Sequence, residues 1–130
     1  MSIKINFNGE VHEQLSISIL DHGFLFGDSI YEVICTSNGK PCFLDKHLDR
    51  LFSSADAISL TIPEKKDWFR EQIGITLKAT GNQESYIRII VTRGIGEINI
   101  DPSSCESPNI IIIVMDVSPY PDSFYEKGIH

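Results

Sequence analysis

The hydrophobic pattern changes period several times along the chain, and each change marks an element. Ile3 to Phe7 alternates, then passes through Asn8-Gly9 to Val11 and His12. Asn and Gly both tolerate positive φ, so this stretch reads as a β-hairpin. Ser16 to Leu20 is a second short alternation. It runs into Asp21-His22-Gly23-Phe24-Leu25-Phe26-Gly27-Asp28, read as a turn-rich loop with apolar side chains between glycines. Ile30 to Ser37 reads as a strand, closed by Asn38-Gly39 and answered by a partner strand near Cys42 to Leu44.

From Leu44 the period becomes helical. Leu44, Leu48, Leu51, Phe52, Ala55 and Ile58 share one face, and Asp45 stands where a cap belongs. At about 100° per residue, Lys46, Arg50, Ser53 and Ala57 fall opposite that stripe. Pro63 separates this helix from a second over Glu64 to Thr80, ended by Gly81-Asn82. Phe69, Ile73 and Leu77 form its main stripe. Trp68 and Ile75 point away from them, which predicts cover on two sides. Ser85 to Thr92 alternates again, with Ile87, Ile89 and Val91 on one face and Tyr86, Arg88 and Ile90 on the other. Ile110 to Val117 is apolar at nearly every position, as in a strand covered on both faces. Pro119, Pro121 and Gly128 mark a linker-like tail. The pattern predicts a small α+β domain over residues 1–118, an antiparallel-rich sheet with two main helices, followed by the start of a linker over 119–130.

Composition narrows the function. The 130 residues are 42% apolar and 22% charged, enough for a packed core and too apolar for a disordered chain. The net charge is −7, with no basic run longer than Lys65-Lys66. A nucleic acid or an anionic membrane would be repelled, so neither is expected as a partner. Cys35, Cys42 and Cys105 are odd in number and lack C-x-x-C spacing, which argues against a disulfide framework or a zinc ribbon. No signal peptide is visible at Met1-Ser2-Ile3-Lys4, and the longest apolar run, Ile110 to Met115, is far too short to span a bilayer. The cytoplasm is the expected compartment.

Candidate chemistry lies in three places. Arg50, opposite the core stripe beside Ser53 and Ala57, suits a guanidinium that forks onto a phosphate, although position alone favours a solvated helix face. Tyr86 and Arg88 project together from one strand face, where a phenol and a guanidinium fit an anionic group such as a carboxylate. The plainer alternative is a half-packed tyrosine crossed by a snorkelling arginine. Tyr31 opens a strand and either offers its hydroxyl to a ligand or serves as amphipathic core. Asp21, His22, Asp28 and Glu32 match no metal-ligand spacing, and loop carboxylates usually cap turns. His47 and Asp49, two apart on a helix, cannot face one another. Gly94 and Gly96 open no helix, so they are no dinucleotide fingerprint.

The run Asp21-His22-Gly23-Phe24-Leu25-Phe26-Gly27-Asp28-Ser29-Ile30-Tyr31-Glu32 resembles the opening signature of class IV aminotransferases. His47-Leu48-Asp49-Arg50-Leu51 follows at the distance of that family's H-x-x-R-L helix, with Ser54-Ala55, Ile62-Pro63 and Tyr86-Ile87-Arg88 leading into Val91-Thr92-Arg93-Gly94. The resemblance implies a fold-type IV enzyme using pyridoxal 5'-phosphate, with a small N-terminal domain, a larger C-terminal domain and an active site between them in a homodimer. It implies that Arg50 binds the cofactor phosphate and that Tyr31, Tyr86 and Arg88 serve the substrate carboxylate. The reaction implied is amino-group transfer between a branched-chain amino acid and a 2-oxo acid. D-amino acid aminotransferases carry an Arg-x-His pair after the T-R-G segment. Ile98 and Ile100 stand there in this chain, which favours the branched-chain type. An aminodeoxychorismate lyase and a stand-alone binding or dimerisation module are the alternatives. The family's cofactor-tethering lysine belongs to the C-terminal domain, and the lysines here, from Lys4 to Lys127, lie outside its motif. No catalytic residue is therefore expected on this chain, which by itself should be inactive.

Overall fold

Strands β1 (Ile3–Phe7), β2 (Glu10–His12), β3 (Ser29–Ser37), β4 (Lys40–Pro41), β5 (Ser85–Thr92) and β6 (Asn109–Asp116) form one sheet in the order β2-β1-β6-β5-β3-β4. Every neighbouring pair is antiparallel. The structure is a computed structural model that describes residues 2–117 and 122–128. The helices are α1 (His22–Phe26), α2 (Leu44–Ala57), α3 (Lys66–Thr80) and α4 (Asp122–Lys127). Both tight hairpins turn on Asn-Gly, and all four residues have positive φ, from 51° at Asn8 to 99° at Gly9. That backbone twist matches the flanking strands.

Alternation along the strands decides what is buried. Ile30, Ile34, Ile87, Ile89, Val91, Ile112 and Val114 face α2 and α3 and pack on Leu48, Leu51, Ala55, Phe69 and Ile73. Trp68 also joins this core from its edge, with its ring 5.2 Å from that of Phe69 and T-shaped to it. The off-stripe position of Trp68 is thus largely covered, while Ile75 remains exposed. One polar group crosses the core. Asn6 is fully buried; its Nδ2 donates to Gln72 Oε1 at 2.9 Å and Thr76 Oγ1 at 3.2 Å, and its Oδ1 accepts from Gly9 N. The first hairpin is thereby pinned to α3 with the amide satisfied.

Several local expectations are corrected. Ser16 to Leu20 forms no strand: only its end meets a neighbour, where the Leu20 carbonyl accepts from Gly96 N at an isolated bridge, while Asp21 N donates to Ser18 O and Ile19 stays exposed. The expected loop after it contains the short helix α1, capped by Asp21, which accepts from Gly23 N, and closed by Gly27 at φ 65°. The partner strand near Cys42 to Leu44 is instead Lys40–Pro41, since Phe43 turns left-handed at φ 54° and heads α2. Asp45 does not cap α2. It lies in the first turn and accepts from Arg70 Nη2 at 2.8 Å. Helix α3 begins at Lys66 rather than Glu64. Within the expected linker, Asp122–Lys127 forms α4, whereas Pro119 and Pro121 lie outside the described residues. No described helix is long and apolar enough to cross a membrane.

Candidate active site

Glu32 sits on the core-facing side of β3 and is 5% exposed, a position a carboxylate holds only with hydrogen-bonding or charged partners. Helix α2 supplies them. Arg50 Nε donates to Glu32 Oε2 at 2.9 Å, Arg50 Nη2 to Oε1 at 2.7 Å, and His47 Nδ1 lies 2.7 Å from Oε1. Burial pushes the Glu32 carboxyl up, but the hydrogen bonds and charges of Arg50 and His47 outweigh it and hold the group below its ordinary range. Glu32 in turn raises the Arg50 guanidinium, through their hydrogen bonds first and their charges second. One edge of the guanidinium is used on Glu32. The side chain is still 67% exposed, and no described group bonds Nη1, so its outer edge faces solvent. Phe43, Lys46, His47 and Arg50 line an open pocket of about 450 Å³. In a chain of net charge −7 this is a local cationic site.

The opposite face of the sheet carries the second group. Arg88 Nε donates to the Tyr86 hydroxyl oxygen at 3.1 Å, and the Arg88 guanidinium lies 5.1 Å from the centre of the Tyr31 ring. Register explains the meeting: Tyr31 pairs with Ile90 across β3 and β5, so Arg88 is its diagonal neighbour on the same face. The Tyr31 ring fixes the cation, and the Tyr86 oxygen, having accepted from Arg88, directs its own proton elsewhere. Tyr31 is 60% exposed, and the three groups form a wall with donors presented outward.

The structure therefore brings Tyr31, Tyr86 and Arg88 together and places Arg50 apart, on the helix side. Tyr31 and Glu32 are consecutive, so the two sites flank one strand edge. Along that edge the last residues of β3 are covered, Thr36 and Ser37 by β4 and the Cys35 carbonyl by Cys42 N. The α1 segment props the start of this strand. Asp21 is fully buried and accepts from Thr92 Oγ1 and Asn109 Nδ2, while Asp28 pairs with Arg93 at 2.9 Å. Glu32 and His47 were missed as site residues by reading the sequence. The available signal was a carboxylate alternating with Ile30 and Ile34 on a core face, which demands a buried partner.

The sequence profile described as amino-transferase class IV matches residues 29–130. The chain belongs to the class IV aminotransferase family. A Methanocaldococcus jannaschii protein, provisionally named a branched-chain-amino-acid aminotransferase, is 35% identical over 98% of this chain and 44% of its own length. The D-alanine aminotransferase of Listeria monocytogenes is 34% identical over 73% of this chain and 33% of its own. Among solved structures, the branched-chain amino acid aminotransferase of Escherichia coli superposes with a TM-score of 0.84 over 92% of this chain and 41% of that one, at 21% identity. The 4-amino-4-deoxychorismate lyase of Pseudomonas aeruginosa reaches 0.75 over 96% and 44%, at 26% identity. The family's α+β N-terminal fold is thus the fold of this chain, which spans less than half the length of each of these relatives.

Proposed function

We propose that the protein carrying this chain is a pyridoxal-phosphate-dependent transaminase that moves an amino group between a branched-chain amino acid and a 2-oxo acid. The observation that carries this reading is the Tyr31, Tyr86 and Arg88 wall, set across one strand edge from the Arg50 pocket. The donor set fits the cofactor. Arg50 keeps an outward-facing edge for a phosphate, Lys46 adds charge beside it, and Glu32 holds the guanidinium in place from behind. The chemistry the bound cofactor supplies is carbonyl exchange and electron withdrawal from the substrate Cα.

This chain's own residues bind and orient. Arg50 neutralises phosphate charge without being displaced from Glu32. On the other face, the Tyr86 hydroxyl and the Arg88 guanidinium receive the substrate carboxylate, and the rigid Tyr31 ring stops Arg88 from swinging away. A carboxylate clamped there aims the Cα–H bond in one direction, which is how a wall remote from the proton transfer governs its rate. Ile98 and Ile100 are 75% and 80% exposed and offer no side-chain donor, which supports the branched-chain reading over the D-alanine one. The reading includes a homodimer, as the family resemblance implies. It also includes the cytoplasm, which suits a set of three cysteines that builds no disulfide framework.

Two variants of the full-length protein separate these roles. Arg50→Ala should weaken pyridoxal phosphate binding roughly ten-fold or more, the scale of a lost charge-assisted fork. Arg88→Ala should leave cofactor affinity nearly unchanged and lower kcat/KM for L-leucine. Unaltered cofactor binding by Arg50→Ala removes the phosphate assignment. A wild-type preference for D-alanine over L-leucine sinks the branched-chain assignment.

A further inference from the structure

The second hairpin places two thiols opposite one another. Its register pairs Ser37 with Lys40 and Thr36 with Pro41, and the Cys42 N–H donates to the Cys35 carbonyl at 3.0 Å. Cys35 and Cys42 therefore stand next to one another just beyond the last ladder pair. Cys42 lies in the turn just past β4, and this one backbone bond holds it beside Cys35. Pro41 occupies a non-bonded position, where its missing N–H costs nothing. A backbone N–H···O bond between two residues brings their Cα atoms to about 5–6 Å, within the range a disulfide spans.

Access distinguishes these thiols from the third. Cys35 is exposed and Cys42 half-buried. Cys105 lies elsewhere, its Sγ 3.5 Å from the Gly94 carbonyl, and burial, followed by the Asp28 charge, pushes its thiol up and suppresses the reactive thiolate. We propose that Cys35 and Cys42 form a reversible disulfide site, oxidised by exchange with a small-molecule disulfide such as oxidised glutathione. One thiolate attacks the glutathione disulfide, forming a mixed disulfide and releasing one reduced glutathione. The second thiolate then attacks the protein sulfur of that mixed disulfide and releases the other. Two protein thiols are oxidised, one glutathione disulfide is reduced to two thiols, and the two protons pass to the departing thiolates.

The site lies between the two halves of the candidate active site. Cys35 pairs on its other side with Tyr86, and Cys42 precedes Phe43, which lines the Arg50 pocket. The bond closes the loop 35–42 at the hairpin end of β3. It does not depend on the transaminase reading, because it requires only the hairpin.

The test equilibrates the full-length protein carrying this chain in a series of glutathione redox buffers, alkylates the remaining thiols and maps them by mass spectrometry. The expected result is one internal bond between Cys35 and Cys42, with Cys105 alkylated. In the folded chain it should form at a glutathione ratio roughly ten-fold or more reducing than in the same chain in urea, because the fold supplies the proximity. Cys105→Ser should behave as wild type. Cys35→Ser and Cys42→Ser should each yield only a glutathione adduct on the remaining thiol of the pair. The proposal is overturned if both cysteines remain alkylated at the most oxidising ratio, if the bond involves Cys105, or if folded and unfolded chains oxidise at the same ratio.

Discussion

Replacing Glu32 with Gln isolates what its charge contributes. The substitution keeps the shape of a side chain that is 5% exposed and removes the negative charge that two helix residues bond. A hydrogen bond to a charged group contributes about 1.5–3 kcal/mol. Arg50 is two-thirds exposed, so water screens and partly replaces its side of the pair, and the lower half of that range applies. Glu32→Gln should therefore lower unfolding stability by roughly 1.5–2 kcal/mol at pH 7. The pH dependence follows from linkage. The folded carboxyl titrates below its ordinary 4.5, so its contribution is fully present above pH 4.5 and is lost as pH falls through the depressed folded value. Urea unfolding of wild type and variant over a pH series should show two stability curves that lie apart at neutral pH and converge in acid. A difference that persists unchanged at low pH would mean that shape, not charge, stabilises this site. No difference at pH 7 would remove Glu32 as the group that positions Arg50.

Two further substitutions test the frame around the site. Asn6→Ala strands Gln72 Oε1 and Gly9 N, both of which bond Asn6, and should cost about 2–3 kcal/mol in urea unfolding; a loss below a few tenths would show that water replaces the amide. Gly94 has φ 100°, and an added Cβ would collide with the Ser107 carbonyl. Gly94→Ala should therefore destabilise by more than the roughly 0.4–1 kcal/mol by which the same change stabilises a compatible glycine site, read as a lowered thermal midpoint, and an unchanged midpoint would show that the 107 segment yields.

Much of the frame was legible because it follows from geometry repeated along the backbone. Asn8-Gly9 and Asn38-Gly39 announced their turns, since few other residues accept positive φ twice in succession. The period of two put Tyr86 and Arg88 on one face of β5 and Ile87 and Ile89 on the other, as the structure has them. The period of 3.6 picked out Leu48, Leu51, Phe69 and Ile73 as core. Motif order pointed to the family before any contact was known. Periodicity also misled at Ser16 to Leu20, where alternation exists without a neighbouring strand to give it meaning.

What only the tertiary structure decided was which neighbour each face meets. Tyr31 joins Arg88 because β3 lies beside β5 in one register; a slip of one residue would turn the ring to the core. Glu32, His47 and Arg50 form one cluster because α2 crosses β3 at that height, and neither segment encodes the crossing alone. Asp45, placed to cap a helix by local rules, was taken instead by Arg70 of the next helix. Local pattern reflects the dihedral repeat of a single segment, whereas pairing between segments is set by the summed packing of the whole core, and that sum exists only once the chain has closed on itself.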